Sequence, residues 1–133
     1  MINDLLTWFV AAVKQEPTLA ALQARVFPDV APEQTPNPCM IYQFIENEGE
    51  PVLDAGAATH GTLAFQVRIY GDSRREANAF RESIRLKFQG MTPQAIGGGW
   101  KIEGSAWGDL PDTYEKETKD YGALGVVEFH VAR

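Results

Sequence analysis

Cysteine is almost missing from this chain. Cys39 is the single one among 133 residues, which excludes an internal disulfide and a cysteine-built zinc site. Positive charge is also scarce: 12 Lys and Arg stand against 18 Asp and Glu, a formal net charge of −6. Gripping a phosphate backbone takes clustered cations, so this balance argues against a free-standing nucleic-acid binder. No apolar run approaches the ~20 residues needed to span a bilayer. No basic segment leads into an apolar core at the start, where Asp4 interrupts, so no secretory signal is expected. These absences predict a chain made and kept in a cytoplasm unless a larger particle carries it out.

What is present is an ordinary globular composition with 44% apolar residues, enough to build one core in one domain spanning residues 1–133. The clearest unit runs from Thr62 to Gly90. Leu63, Phe65, Val67 and Ile69 alternate with Thr62, Gln66 and Arg68, the period of a strand with one apolar face. Gly71 and Asp72 break it. Ser73 and Glu76 have the spacing of a capping box at a helix start. Ala77, Phe80, Ile84 and Phe88 then recur every three or four residues and form one helical stripe. Arg85 and Lys87 suit the negative end of the helix dipole, and Gly90 is a C-terminal stop. Two apolar faces joined by so short a turn pack on each other.

The remaining elements are read around that unit. Residues 3–14 predict an amphipathic helix with Leu5, Leu6, Phe9, Val10 and Val13 inward and Trp8 beside them. A shorter helix follows with Pro17 in its first turn, and Val26-Phe27-Pro28 ends it. Asp29 to Pro38 is a proline-rich extended connector. Cys39 to Ile45 is apolar on both faces, which predicts a central strand covered on both sides. Glu46 to His60 is too long and too rich in small residues for a tight hairpin, and is read as a protruding β-arm with an acidic root. Met91 to Gly99 is a linker ending in three glycines. Trp100 to Trp107 is a strand, Gly108 to Gly122 a charged loop, and Ala123 to Val131 a last strand with Val127, Phe129 and Val131 inward. No internal repeat is present. The expected fold is α+β, a mostly antiparallel sheet with helices mainly on one face, in the order ααβ(arm)βαββ.

No motif points to an active site. His60 sits in a glycine-alanine stretch and His130 beside Glu128, and two isolated histidines are not a metal motif. Cys39 follows Pro38 at a strand start and is expected to be a small buried hydrophobe. Gly97 to Gly99 lacks the strand before, the helix after and the Lys-Ser or Lys-Thr of a phosphate loop. The acids between Asp109 and Asp120 have no calcium-loop spacing. Trp100, Trp107, Tyr114 and Tyr121 have acidic flanks, against a base-stacking role. A small-molecule enzyme would need converging polar residues that the sequence does not display. No catalytic residue, metal site or cofactor is expected.

The charge distribution is informative in another way. Asp29 to His60 holds six acids and no Lys or Arg, Gly61 to Trp100 holds six bases and three acids, and Lys101 to Tyr121 holds six acids and three bases. Patches of opposite sign give register to copies that dock head to tail.

Several ordered stretches together resemble a known family. They are Leu19-Ala-Ala-Leu-Gln-Ala-Arg-Val-Phe-Pro28, Pro38-Cys-Met-Ile-Tyr-Gln43, Leu53-Asp54, Phe65-Gln-Val-Arg-Ile-Tyr70, the helix Ala77 to Phe88, and Asp109-Leu-Pro-Asp-Thr-Tyr-Glu-Lys-Glu-Thr118 before a final strand. The chain resembles, over nearly its whole length, the tail-completion or tail-terminator proteins of tailed bacteriophages and prophages. That resemblance implies a structural ring, commonly a hexamer, on the head-proximal end of the tail tube. It implies contact with the tube protein and the head-side connector, DNA passing through the pore without sequence-specific binding, and a place in the virion neck after assembly in the host cytoplasm. A head-closure or adaptor ring of the neck is the neighbouring alternative. For a ring of this chain the expected contacts run from Arg74, Arg75, Arg81 and Arg85 of the long helix to acids of the next subunit. The candidate acids are Glu46, Glu48, Glu50 and Asp54 of the arm, or Glu115 and Glu117 of the late loop.

Overall fold

The computed structural model describes residues 2–22, 25–45, 60–115 and 120–133, without the side chains of Ile2 and Glu115. The expected arm falls almost wholly in residues 46–59, outside the described residues.

Helix α1 spans Ile2–Gln15 and buries Leu5, Phe9 and Val13, the face its periodicity predicts. The second helix is a six-residue 3₁₀ helix, Pro17–Leu22, with Leu19 and Leu22 buried. So short a segment gains few α-type bonds, and the tighter winding is common in such connectors. Val26–Pro28, which the sequence predicts only as the end of that helix, forms strand β1. It lies parallel to β2 (Cys39–Ile45) because the chain is pinned on either side of it. The Met40 amide donates to the Arg25 carbonyl and the Asp29 amide to the Tyr42 carbonyl, both at 2.9 Å.

Strand β2 corrects a second expectation. Cys39 and Met40 are buried, but Gln43, Phe44 and Ile45 are exposed rather than covered on both sides. β1 reaches only Met40–Tyr42, so the rest of β2 has no neighbour on its outer side among the described residues. Strand β3 (His60–Gly71) is central, pairing antiparallel with β2 on one side and β6 (Asp120–Ala132) on the other. Leu63, Phe65, Val67 and Ile69 are buried as predicted.

Helix α2 spans Arg74–Phe88 and starts as its sequence requires: the Ser73 hydroxyl accepts from the Glu76 amide at 3.1 Å. Glu76 reaches back to the amide of Asp72, at 3.1 Å, one residue earlier than in a standard capping box. The helix stops at the extended backbone of Gln89, and Gly90 next to it takes φ +62, a conformation that favours glycine, with its amide donating to the Ser105 carbonyl at 3.1 Å. Ala77, Phe80, Ile84 and Phe88 face the sheet.

The last third departs furthest from expectation. The linker contains a short edge strand, β4 (Gln94–Gly97), and the strand begun at Trp100 does not stop at Trp107. Strand β5 runs from Trp100 to Glu115 and pairs with β6 along its length, so the expected charged loop is two sides of a long hairpin. Local polarity hid it, because cross-strand pairing satisfies the backbone whatever the side chains face. The sheet order is β1-β2-β3-β6-β5-β4, antiparallel throughout except for β1. The helices cover the face carrying Phe65 and Phe129. There Phe9 stacks on Phe65 with centroids 5.5 Å apart, and it lies 4.9 Å from Phe88.

Candidate assembly surface

The four arginines of α2 are differently placed. Arg74 and Arg75 open the helix and are exposed. Arg85, in the last turn, is paired along the helix with Glu82 and donates to the Gln89 side chain at 2.8 Å. That pairing raises the Arg85 pKa and lowers that of Glu82.

Arg81 points the other way, into its own subunit. Its guanidinium donates to the Leu110 carbonyl at 3.1 Å, the Leu124 carbonyl at 3.3 Å, the Asp112 carboxylate at 2.7 Å and the Asn78 side chain at 3.1 Å. Its side chain is only 16% exposed. The β5–β6 register slips between Leu110 and Thr113, so Arg81 sits against the bulge and ties α2 to the hairpin. Sequence reasoning missed this use of Arg81. Asp109 and Asp112 next to Pro111 were the available signal, since proline inside a strand marks an edge or a bulge.

Of the expected acidic partners, Glu46, Glu48, Glu50, Asp54 and Glu117 lie outside the described residues. Glu115 ends β5 with its backbone alone described. The topology nevertheless sorts the two acidic groups. Gly71, just before α2, pairs with Tyr121 of β6, and Glu115 pairs with Asp120, so the backbone of Glu115 lies at the Arg74–Arg75 end of the sheet. Ile45 and His60, the described residues that flank the other acidic group in sequence, lie at the opposite end.

The hairpin is stiffened by aromatics. The Trp107 indole donates to Asp109 at 2.6 Å and lies so close over Gly125 that a Cβ there would collide with the ring. Nearer the turn, the Tyr114 and Tyr121 rings meet with centroids 4.7 Å apart.

Two cavities among the described residues show no converging catalytic groups. One of about 390 Å³ lies under the connector, between Pro32, Asn37, Cys39, Tyr70 and Asp120. Burial pushes the Cys39 thiol up, away from the reactive thiolate. Another, about 440 Å³, runs between α1, the end of α2 and β4, lined by Trp8, Ala12, Gln15, Lys87, Phe88 and Met91. His130 touches Glu128 at 3.6 Å and the Thr62 hydroxyl at 3.1 Å, a surface cluster on the sheet. Among the described residues no group of three or more His, Cys, Asp and Glu is placed to hold a metal ion. No helix among them is long and apolar enough to cross a membrane.

The described surface thus carries exposed Arg74 and Arg75 on α2, a hairpin braced by Arg81 and exposed apolar residues at the end of β2. The family model described as tail completion protein gp17 matches residues 9–131, and the chain belongs to that family. It is a structural protein of the phage tail or neck. No curated protein matches it. A solved chain without a descriptive name matches at TM-score 0.68 and 14% identity, covering 100% of this chain and 96% of that one. A chain from the virion of a native gene transfer agent particle matches at TM-score 0.60 and 15% identity, covering 96% and 97%. At such identities the likeness shows a shared fold.

Proposed function

We propose that this protein forms a ring, hexameric by analogy with the tail terminators it resembles, that caps the head-proximal end of the tail tube. The ring stops tube growth and offers the head-side connector its docking face. It works by shape and charge and makes or breaks no bond. Membership in the tail completion family carries this reading. A closed ring uses heterologous contacts, in which one patch of each copy meets a different patch of the next. Arg74 and Arg75, exposed on α2, are the bases best placed for such a contact, with Arg85 behind them. Glu115 of the next copy, whose backbone lies at their level in the sheet, and Glu117 beside it in sequence are the acids we assign to them, with Glu46, Glu48, Glu50 and Asp54 as the second acidic group of the ring contact. The net charge of −6 keeps passing DNA from adhering to the pore wall. The protein is assembled in the host cytoplasm and remains in the virion neck.

Two measurements test this. Native mass of the purified chain with and without tail tubes should give a ring, at the latest when tubes are present. Electron microscopy of particles lacking the protein should show overlong tails, whereas full heads that leak would assign the chain to head closure or an adaptor ring. Reversal of Arg74 and Arg75 to Glu should weaken assembly, with rescue by basic residues at Glu115 and Glu117.

A further inference from the structure

The helices pack on the sheet face that carries Phe65 and Phe129, and among the described residues no helix covers the other face. Successive strand residues alternate between faces, so the second face carries the neighbours of Phe65 and Phe129. On the two central strands Arg68, Gln66 and Ala64 of β3 lie opposite Leu124, Val126 and Glu128 of β6. The connector borders this face at one end, where Asn37 donates to Asp120 at 2.6 Å beside Tyr70.

The patch has one charge of each sign. Arg68 is half-buried and donates to the Tyr70 hydroxyl at 3.3 Å, a neutral partner. Glu128 is 40% exposed and lies 3.6 Å from His130, an imidazole that is charged only when protonated. Among the described residues no carboxylate pairs with Arg68 and no Lys or Arg with Glu128. Glu128 pairs with Ala64, so the two charges stand one strand apart and four residues apart, about 14 Å. Half-way between them is the uncharged Gln66–Val126 pair.

We propose that this face docks on the same face of a second copy, with Arg68 of each meeting Glu128 of the other. A two-fold axis across the Gln66–Val126 pair exchanges the two charged positions, so a single patch fits itself. A slide that sets like charge over like is disfavoured, which fixes the register. Stacked sheets lie about 10 Å apart, a gap that a guanidinium from one side and a carboxylate from the other can bridge. Four strands and the seven residues from Thr62 to Arg68 give roughly 400 Å² a side, against about 800 Å² in a standard interface. The pair is therefore weak and forms at high concentration. It goes beyond the ring reading and does not rest on it: the contact is isologous, and α2 with Arg74 and Arg75 lies on the opposite face.

Sedimentation equilibrium of charge-swapped chains tests it. The wild type should show a concentration-dependent doubling of its mass that salt weakens. Arg68→Glu or Glu128→Arg brings like charges together twice across the axis and should weaken the pair about tenfold or more. The two single variants mixed together should associate with each other, because both of their cross-contacts are then opposite in charge. The chain carrying both changes should recover self-association. Should Arg68→Glu lose its fold by circular dichroism, Glu128→Arg and Gln66→Glu decide, the latter setting like charges together beside the axis. A wild type that shows no doubling, or a doubling that neither reversal weakens, overturns the proposal and leaves the ring reading to its own tail-tube experiment. Loss of tail-tube binding in Arg68→Glu, with no doubling of the free wild type, would give the face to the tube protein and overturn it too.

Discussion

Arg81 offers the sharpest test of how this subunit holds its shape. Truncation to alanine leaves the Leu110 and Leu124 carbonyls without their charged donor and Asp112 without its cation. A hydrogen bond to a charged group contributes ~1.5–3 kcal/mol. Water recovers part of each lost bond at a site that is still 16% open. The net loss should be about 2–3 kcal/mol. With an unfolding entropy of about 0.28 kcal/mol/K for a chain of 133 residues, the melting temperature should fall by about 7–11 °C. Arg81→Lys keeps the charge but not the fork that spans several acceptors, so about half the loss should remain. Arg81→Met keeps the apolar stem and separates packing from hydrogen bonding. Calorimetry gives the shift, and hydrogen exchange should show faster opening of the hairpin amides between Leu110 and Leu124 than of β3. A fall below about 3 °C for Arg81→Ala, or wild-type behaviour of Arg81→Met, would refute the argument.

Three further outcomes are expected. Gly125→Ala drives a methyl group into the Trp107 indole and should cost ~2–3 kcal/mol in urea unfolding, with much of it restored by adding Trp107→Ala. The hydrogen bond from Lys87 to Glu16 (3.0 Å) holds the Glu16 carboxyl below its ordinary 4.5. The contribution is present above the unfolded value and lost as pH falls through the folded one. Glu16→Gln should therefore narrow its deficit against wild type only below about pH 4.5, read as denaturant midpoints across pH. Cys39 is 3% exposed and should react with a thiol reagent only as the protein unfolds; rapid reaction in the native state would contradict its placement.

The sequence was most readable where one residue pattern met one environment. β3 and α2 are covered on a single continuous face, so their periodicities announced them, and Ser73 and Gly90 marked the helix ends by backbone chemistry alone. β2 misleads because apolar residues ordinarily signal burial, while its Phe44 and Ile45 are exposed. The β5–β6 hairpin was invisible for the opposite reason. Between Gly108 and Tyr114 nearly every side chain is exposed, so no alternation was impressed on the sequence, and Gly108, Pro111 and Asp112 read as a loop. The pairing that makes it a strand comes from residues 120–126, and single-segment patterns carry no such information. The same blindness hid Arg81, whose partners in the hairpin lie 29 to 43 residues away. Residue type marked it as a surface cation, and only the fold turned it inward. The cavity beside β4, too, is assembled from separated segments of α1, the end of α2 and β4, and only their contact makes it a surface.

The outermost strands are stubs, β1 of three residues ending in Pro28 and β4 of four ending in Gly97, and each shields only part of its neighbour, Met40–Tyr42 of β2 and Trp100–Ile102 of β5. Proline has no amide hydrogen to offer an incoming strand, and edges this short template little further growth. Backbone recruitment is thereby blunted at the stubs themselves. Along the rest of β2 and β5 the outer edge has no strand partner among the described residues, so pairing with a strand of another chain stays open there.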